Sequence, residues 1–218
     1  MSSLILLAQA IGIAYAAGLN LYATVGFVGL AERLGWLAPL PGTLSVFANP
    51  WVITIALLLY VIEFSATLFP GVATAWETLH SLIRPPAAAV LAAATAWHGD
   101  PIFVLLAALM GGGMAVATHT TKLGIRYAID TSPEPFTNGA ANVAELGVVT
   151  SLLLAVWSHP FIALSIALAV LVALIVTVRL IWRALRQVFT GRWVPGRGFL
   201  QAARTSSGMK EPPLPPED

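Results

Sequence analysis

Cysteine is absent from this sequence and charge is scarce, with Asp, Glu, Lys and Arg making up 10% of its 218 residues. The first absence excludes disulfides, thiolate chemistry and Cys-based metal sites. The second sets the chain apart from ordinary water-soluble domains, in which about 25% of residues are charged. No phosphate-cradling glycine loop, nucleophile elbow or His-Glu-x-x-His motif occurs, so the expectation is a non-enzyme with no cofactor. What is abundant is carbon. Hydrophobic residues account for 58% of the chain, and mean hydropathy is +0.84. A globule of this length cannot hide so much apolar surface and still present a polar shell. A bilayer can solvate it. The net charge of +1 decides nothing about nucleic acid by itself, and no nucleic-acid partner is expected.

Hydropathy divides the chain into about six spans, each needing roughly 20 apolar residues. No charged side chain precedes Glu32, and Leu4–Leu30 reads as a first span, tilted or broken near Gly18. Leu4–Ala17 resembles a signal peptide in composition, but no Lys or Arg precedes it and the apolar run continues, so it reads as a retained span. Pro39, Pro41, Gly42 and Pro50 mark Ala31–Pro50 as loop. The second span covers Trp51–Phe69. Ala87–Trp97 is too short to cross alone, so the third borrows the amphipathic stretch Ala73–Arg84, expected to enter at the membrane surface and bend at Pro85-Pro86. The fourth span is Pro101–His119, with Gly111–Gly113 as a bend or a close-packing point. Thr131–Asn138 reads as loop, Gly139–Trp157 as the fifth span, Ser158-His159-Pro160 as a turn and Phe161–Ile181 as the sixth. Arg183–Asp218 is basic and then Pro-rich, the composition of a disordered tail.

Six spans with both termini inside place Arg84, Lys122, Arg126, Arg179, Arg183, Arg186, Arg192, Arg197, Arg204 and Lys210 on the cytoplasmic side and only Arg33 outside. That bias follows the positive-inside rule, and Trp36, Trp51, Trp97 and Trp157 then fall at the outer interface. The expected fold is thus an all-α polytopic membrane bundle with both termini in the cytoplasm. The spans also divide three and three. Each half opens on a glycine-interrupted span (Gly18, then Gly111–Gly113), continues through Ala-Thr (Ala23-Thr24, then Ala117-Thr118) and carries one carboxylate in its second span (Glu63, then Glu145). Inverted repeats with interrupted helices characterise many secondary transporters. The expected organisation is a first half over 1–98, a second over 99–186 and a cytoplasmic tail over 187–218.

Ionisable groups within spans cost roughly 2.5–3.5 kcal/mol each at the helix centre and tend to mark function. Helical spacing aligns Glu77, His80 and Arg84 on one face, His119, Lys122 and Arg126 on another, and Asn138, Asn142 and Glu145 on a third. With Asn20, Glu63 and Thr118, these residues outline a polar site toward the cytoplasmic side. Such a cluster suits a path for a small solute or ion; the competing reading pairs the same charges as packing elements of a non-transporting or lipid-interacting scaffold. Glu77-x-x-His80 has di-iron spacing, but the second Glu-x-x-His that such sites need is missing, so no metal is expected. The expected partners are the lipid bilayer, an unknown small solute or ion and, through Gly/Ala faces, further copies of the chain.

Glu63-Phe64, Pro70-Gly71-Val72, Ala75-Trp76-Glu77-x-x-His80 and Ile83-Arg84-Pro85 resemble the central signature of the bacterial family catalogued as domain of unknown function 4126. Gly18-Leu19-Asn20 and the stretch from Ala117-Thr118-His119 through Thr131-Ser132-Pro133-Glu134-Pro135-Phe136 are similar to its other recurring segments. The resemblance covers about Ile11–Pro160 and implies a membrane fold with a shared site but no named activity. The family pattern has an Asp shortly after Glu-Phe and another after Pro-x-Val; this chain has Thr67 and Ala73 there.

Overall fold

Alanine, isoleucine and leucine on every side leave α1, Ser3–Leu19, with no face suited to water. In the computed structural model, which describes residues 3–36, 43–130 and 135–189, this helix is the axis of the bundle. Every residue from Ala8 to Gly18 is buried. Asn20 ends it: its backbone is extended (φ −147°, ψ 104°), and its side chain accepts from the Ala23 amide to cap α2, Leu21–Arg33. The break expected near Gly18 is present and falls at Asn20, two residues on. Gly18 stays helical and serves packing, since a Cβ there would lie 2.8 Å from the Ala115 backbone.

Five further helices follow, and each opens on a proline, whose missing N–H costs nothing at a helix start. They are α3, Pro50–Ala66; α4, Pro70–Thr95; α5, Pro101–Asp130; α6, Pro135–Ser158; and α7, Pro160–Phe189. A short 3-10 helix at Leu44–Ala48 occupies part of the segment expected to be loop. Residues 131–134 of the next expected loop lie outside the described residues, and Pro135–Asn138 belong to α6. Helix α7 carries Arg183 and Arg186 as far as Phe189 instead of ending at Ile181; the expected tail from residue 190 lies outside the described residues. The chain divides into two units, Met1–Leu174 and Ile175–Asp218; the described part of the second is the last stretch of α7.

Two expectations about bending are corrected. Helix α5 runs unbroken through Gly111–Gly113, and of the bend and the close-packing point expected there, Gly111 and Gly112 make the second. A Cβ on Gly111 would meet Ala92 and Ala14, and one on Gly112 would come 3.2 Å from Ala89. Helix α4 likewise continues through Pro85 and Pro86, and its N-terminal part does not lie on a surface with its polar side outward. Ala73, Glu77, His80, Arg84, Ala88 and Leu91 form its buried stripe, while Leu79, Leu82 and Val90 are exposed. The amphipathicity is real but points inward.

That inversion holds for the bundle as a whole. Leu82 is 78% exposed and Phe136 83%, whereas Arg84 and Glu77 are fully buried. In water this distribution would waste apolar burial and desolvate ions; against hydrocarbon it is the favourable arrangement. Three helices, Pro101–Asp130, Pro135–Ser158 and Pro160–Gln187, are long and apolar enough to cross a membrane, and α1 and α3 are shorter apolar helices.

The glycine surface gives a paired prediction. Gly111→Val is expected to lower the melting temperature of the purified protein, at a cost of about 1–3 kcal/mol for overpacking. Gly113→Ala, which meets nothing within 4 Å, is expected to raise it through about 1 kcal/mol of helix propensity. Equal shifts for the two in a detergent melt would mean that α4 and α5 do not pack on Gly111.

Candidate functional site

The polar faces of α4, α5 and α6 meet around the break between α1 and α2. Lys122 on α5 is the centre. Its Nζ lies 3.2 Å from Glu63 Oε1 on α3, 2.9 Å from Glu77 Oε1 on α4 and 2.8 Å from Glu145 Oε1 on α6. It also donates to the carbonyl of Leu19 at 3.0 Å. That carbonyl belongs to the last turn of α1, where no following turn supplies a donor. One ammonium thus ties four helices to the one that carries it.

Asn20 completes the junction from the other side. Its Oδ1 caps α2 at 2.9 Å, and its Nδ2 donates to Glu63 Oε1 at 3.2 Å and to Glu145 Oε1 at 2.8 Å. Arg84 donates to Glu77 Oε2 at 2.7 Å and to Glu63 Oε1. Its Nη1 also faces His119 Nδ1 at 2.9 Å. A guanidinium can only donate, so His119 Nδ1 accepts and the ring proton sits on Nε2, within 2.9 Å of Ser81 Oγ and 3.2 Å of the Glu77 carbonyl. His80 has the opposite tautomer: Nδ1 donates to the Trp76 carbonyl at 2.8 Å, leaving Nε2 to accept from Tyr22 Oη at 3.1 Å. Trp76 stacks on the same ring at 4.7 Å.

Farther along α5, Arg126 Nη2 donates to Asn142 Oδ1 at 2.6 Å, and its nearest carboxylate is Glu145, 4.0 Å away. Asn142 Nδ2 in turn donates to Thr67 Oγ1 at 2.9 Å. Glu63, Glu77 and Glu145 face Arg84, Lys122 and Arg126, so the cluster as ionised is neutral. Neutrality and dense bonding make its burial tolerable, since an unpaired charge there would cost several kcal/mol. Glu63 Oε2, Arg84 Nε and Arg126 Nη1 have no hydrogen-bond partner among the described residues.

The structure brings together most of the residues expected at the site, with His80 at its edge on Tyr22 and Trp76 and Asn138 apart on the Leu68 carbonyl. Thr118 is a further partial exception: it is buried against Gly18, and its hydroxyl donates to the Ala115 carbonyl of its own helix. Gly111–Gly113 lie in intact helix roughly two turns before His119 and present no broken backbone to the site. Sequence reasoning missed the Leu19 carbonyl, Tyr22 and Ser81. The break beside Gly18 was the one signal pointing to Leu19; Tyr22 and Ser81 carry no pattern that separates them from ordinary span residues. Thr67 holds Asn142 through its hydroxyl, which accepts from the amide.

Two openings adjoin the cluster. A crevice lined by Asn20, Tyr60, Glu63, Phe64, Thr67, Asn142 and Glu145 is too narrow to hold a water molecule. A cavity of about 450 Å³ lies against Lys122, Arg126 and Glu145, with Tyr15, Ile125 and Val148 among its other walls.

Fold and site together define an all-α protein, three of whose helices are compatible with a membrane and whose charged groups gather inside the bundle. The chain belongs to the family described as Domain of unknown function (DUF4126), which matches over residues 7–180. No curated protein and no solved structure matches it.

Proposed function

We propose that the chain is a small-solute or ion transporter of the bacterial inner membrane, with six spans and both termini in the cytoplasm. The broken helix carries this reading. At Asn20 the first span leaves a carbonyl and an amide among three carboxylates and three cations, and unwound helix ends in such surroundings are how many secondary transporters hold charged cargo. On this reading α1 and α2 together make the broken first span, α3 to α7 the other five, and the halves over 1–98 and 99–186 are inverted repeats. The exchange of partners across the halves supports the repeat: Glu63 and Glu145, at matching places, share both Asn20 and Lys122.

Arg84, Lys122 and Arg126 are buried inside the bundle and cannot report on loop charge, which leaves seven basic residues on the inner side against Arg33. The bias still favours a cytoplasmic C-terminus. Trp36, Trp51 and Trp97 are each more than half exposed, as outer-interface anchors would be.

A second reading, a scaffold whose ion pairs only fix helix packing, is favoured by the closed crevice beside Asn20. Water access separates the two. The chain has no native cysteine, so single cysteines at Asn20, Glu63, His80, Thr118 and Glu145 can be probed in intact membranes with a small water-soluble thiol reagent. The transport reading expects labelling from both faces, or labelling that shifts with a transported solute. Inertness at all five positions in stably expressed variants would leave the scaffold.

A further inference from the structure

The cavity beside the cluster has two unlike ends. At one, Lys122, Arg126 and Glu145 come to its wall; elsewhere the wall is mainly apolar, from Leu19 and Ile129 to Ala144 and Val148, with Tyr15 and Thr121 as its hydroxyl-bearing members. Its volume of about 450 Å³ falls in the range of small-molecule sites, about 300–1,000 Å³. Of the three buried cations in the cluster, Arg126 is the least compensated. Lys122 touches three carboxylates and Arg84 two. Arg126 bonds a neutral amide and stands 4.0 Å from its one carboxylate. Its side chain is 4% exposed, and its Nη1 has no hydrogen-bond partner among the described residues. A guanidinium held this way in a mainly apolar chamber is a strong donor for a carboxylate or phosphate oxygen.

We propose that the cavity between α1, α5, α6 and α7 binds a single-chain anionic amphiphile, its carboxylate or phosphate head on Arg126 and its alkyl chain along Ile129, Ala144 and Val148. A neutral alkyl group alone would cover the carbon but leave Arg126 underpaired in a dry environment. A free inorganic anion would satisfy Arg126 but leave the apolar walls unfilled. An amphiphile satisfies both ends. The binding is independent of whether the protein transports anything, so a failed flux assay does not touch it.

The test uses the full chain in nanodiscs of zwitterionic lipid and a photoactivatable probe, a diazirine-bearing sixteen-carbon carboxylic acid, with the matching diazirine alcohol as control. The expected result is preferential labelling by the acid of the segments carrying Ile125, Ile129 and Val148. Arg126→Gln should reduce it about tenfold, the loss of one charge-assisted hydrogen bond. Ala144→Trp fills the cavity from an exposed position on α6 outside the ionic cluster, and should abolish labelling while the protein stays monodisperse; Val148→Phe is the second filling variant should that one misfold. Excess inorganic phosphate should leave labelling unchanged. Equal labelling by the alcohol, labelling that survives both filling variants, or full competition by inorganic phosphate would each overturn the proposal, the last by reassigning the site to a free anion.

Discussion

Lys122→Met is expected to be the most damaging single substitution in the bundle, lowering stability by about 3–5 kcal/mol and cutting the yield of folded protein accordingly. Methionine matches the length of the side chain but leaves Glu63, Glu77 and Glu145 around a thioether, with one negative charge in excess. Glu145 loses most, because its only other cation, Arg126, is 4.0 Å away. The double variant Lys122→Met, Glu145→Gln restores neutrality and should recover a good part of the loss. A double-mutant cycle on the melting temperature in detergent, extended with Glu145→Gln alone, measures the coupling. Additive losses, or a Lys122→Met variant that melts with the parent, would show that the ammonium is not the centre of the cluster.

Asn20→Asp is expected to cost ~3 kcal/mol or more, the penalty of an uncompensated buried charge. The carboxylate keeps an oxygen for the Ala23 amide, so the cap of α2 survives, but it sets a negative charge where Nδ2 now donates to Glu63 and Glu145. Asn20→Ser also caps and adds no charge, so its loss should be about 1–2 kcal/mol. The order expected in a thermal melt is parent, then serine, then aspartate. An aspartate variant as stable as the serine one would mean that the amide does not bridge the two carboxylates.

Much of this arrangement was legible in the residues because helical spacing is rigid. Glu77, His80 and Arg84 could share a face only in one way once α4 was helical, and the same holds for His119, Lys122 and Arg126. Periodicity shows which residues share a face but not whether that face looks in or out. Usual soluble-protein logic put the polar side of Ala73–Arg84 at a surface; in hydrocarbon the sign reverses, and the structure buries it. Glycine was ambiguous for a related reason. Gly111–Gly113 lower helix propensity, which suggests a bend, but the α4 alanines that fill the space are far off in sequence, so the packing gain could not be read locally. The break at Asn20 was displaced from Gly18 because a side-chain cap, not backbone freedom, ends α1. The cavity beside Arg126 is built by four helices together and leaves no linear trace.

The ionic cluster also bears on how the chain is made. The buried charges emerging first, Glu63, Glu77 and Arg84, sum to minus one; those emerging later, Lys122, Arg126 and Glu145, sum to plus one. Neither set is neutral alone. At about 5–20 residues per second, seconds separate the synthesis of Arg84 from that of Lys122, and throughout that interval a carboxylate on α3 or α4 lacks its final counter-ion. On the proposed membrane reading, the early helices would stay beside water until α5 arrives. Lys122 would then act as a latch on assembly: α3 and α4 reach a neutral set of partners only when α5 has delivered its charge.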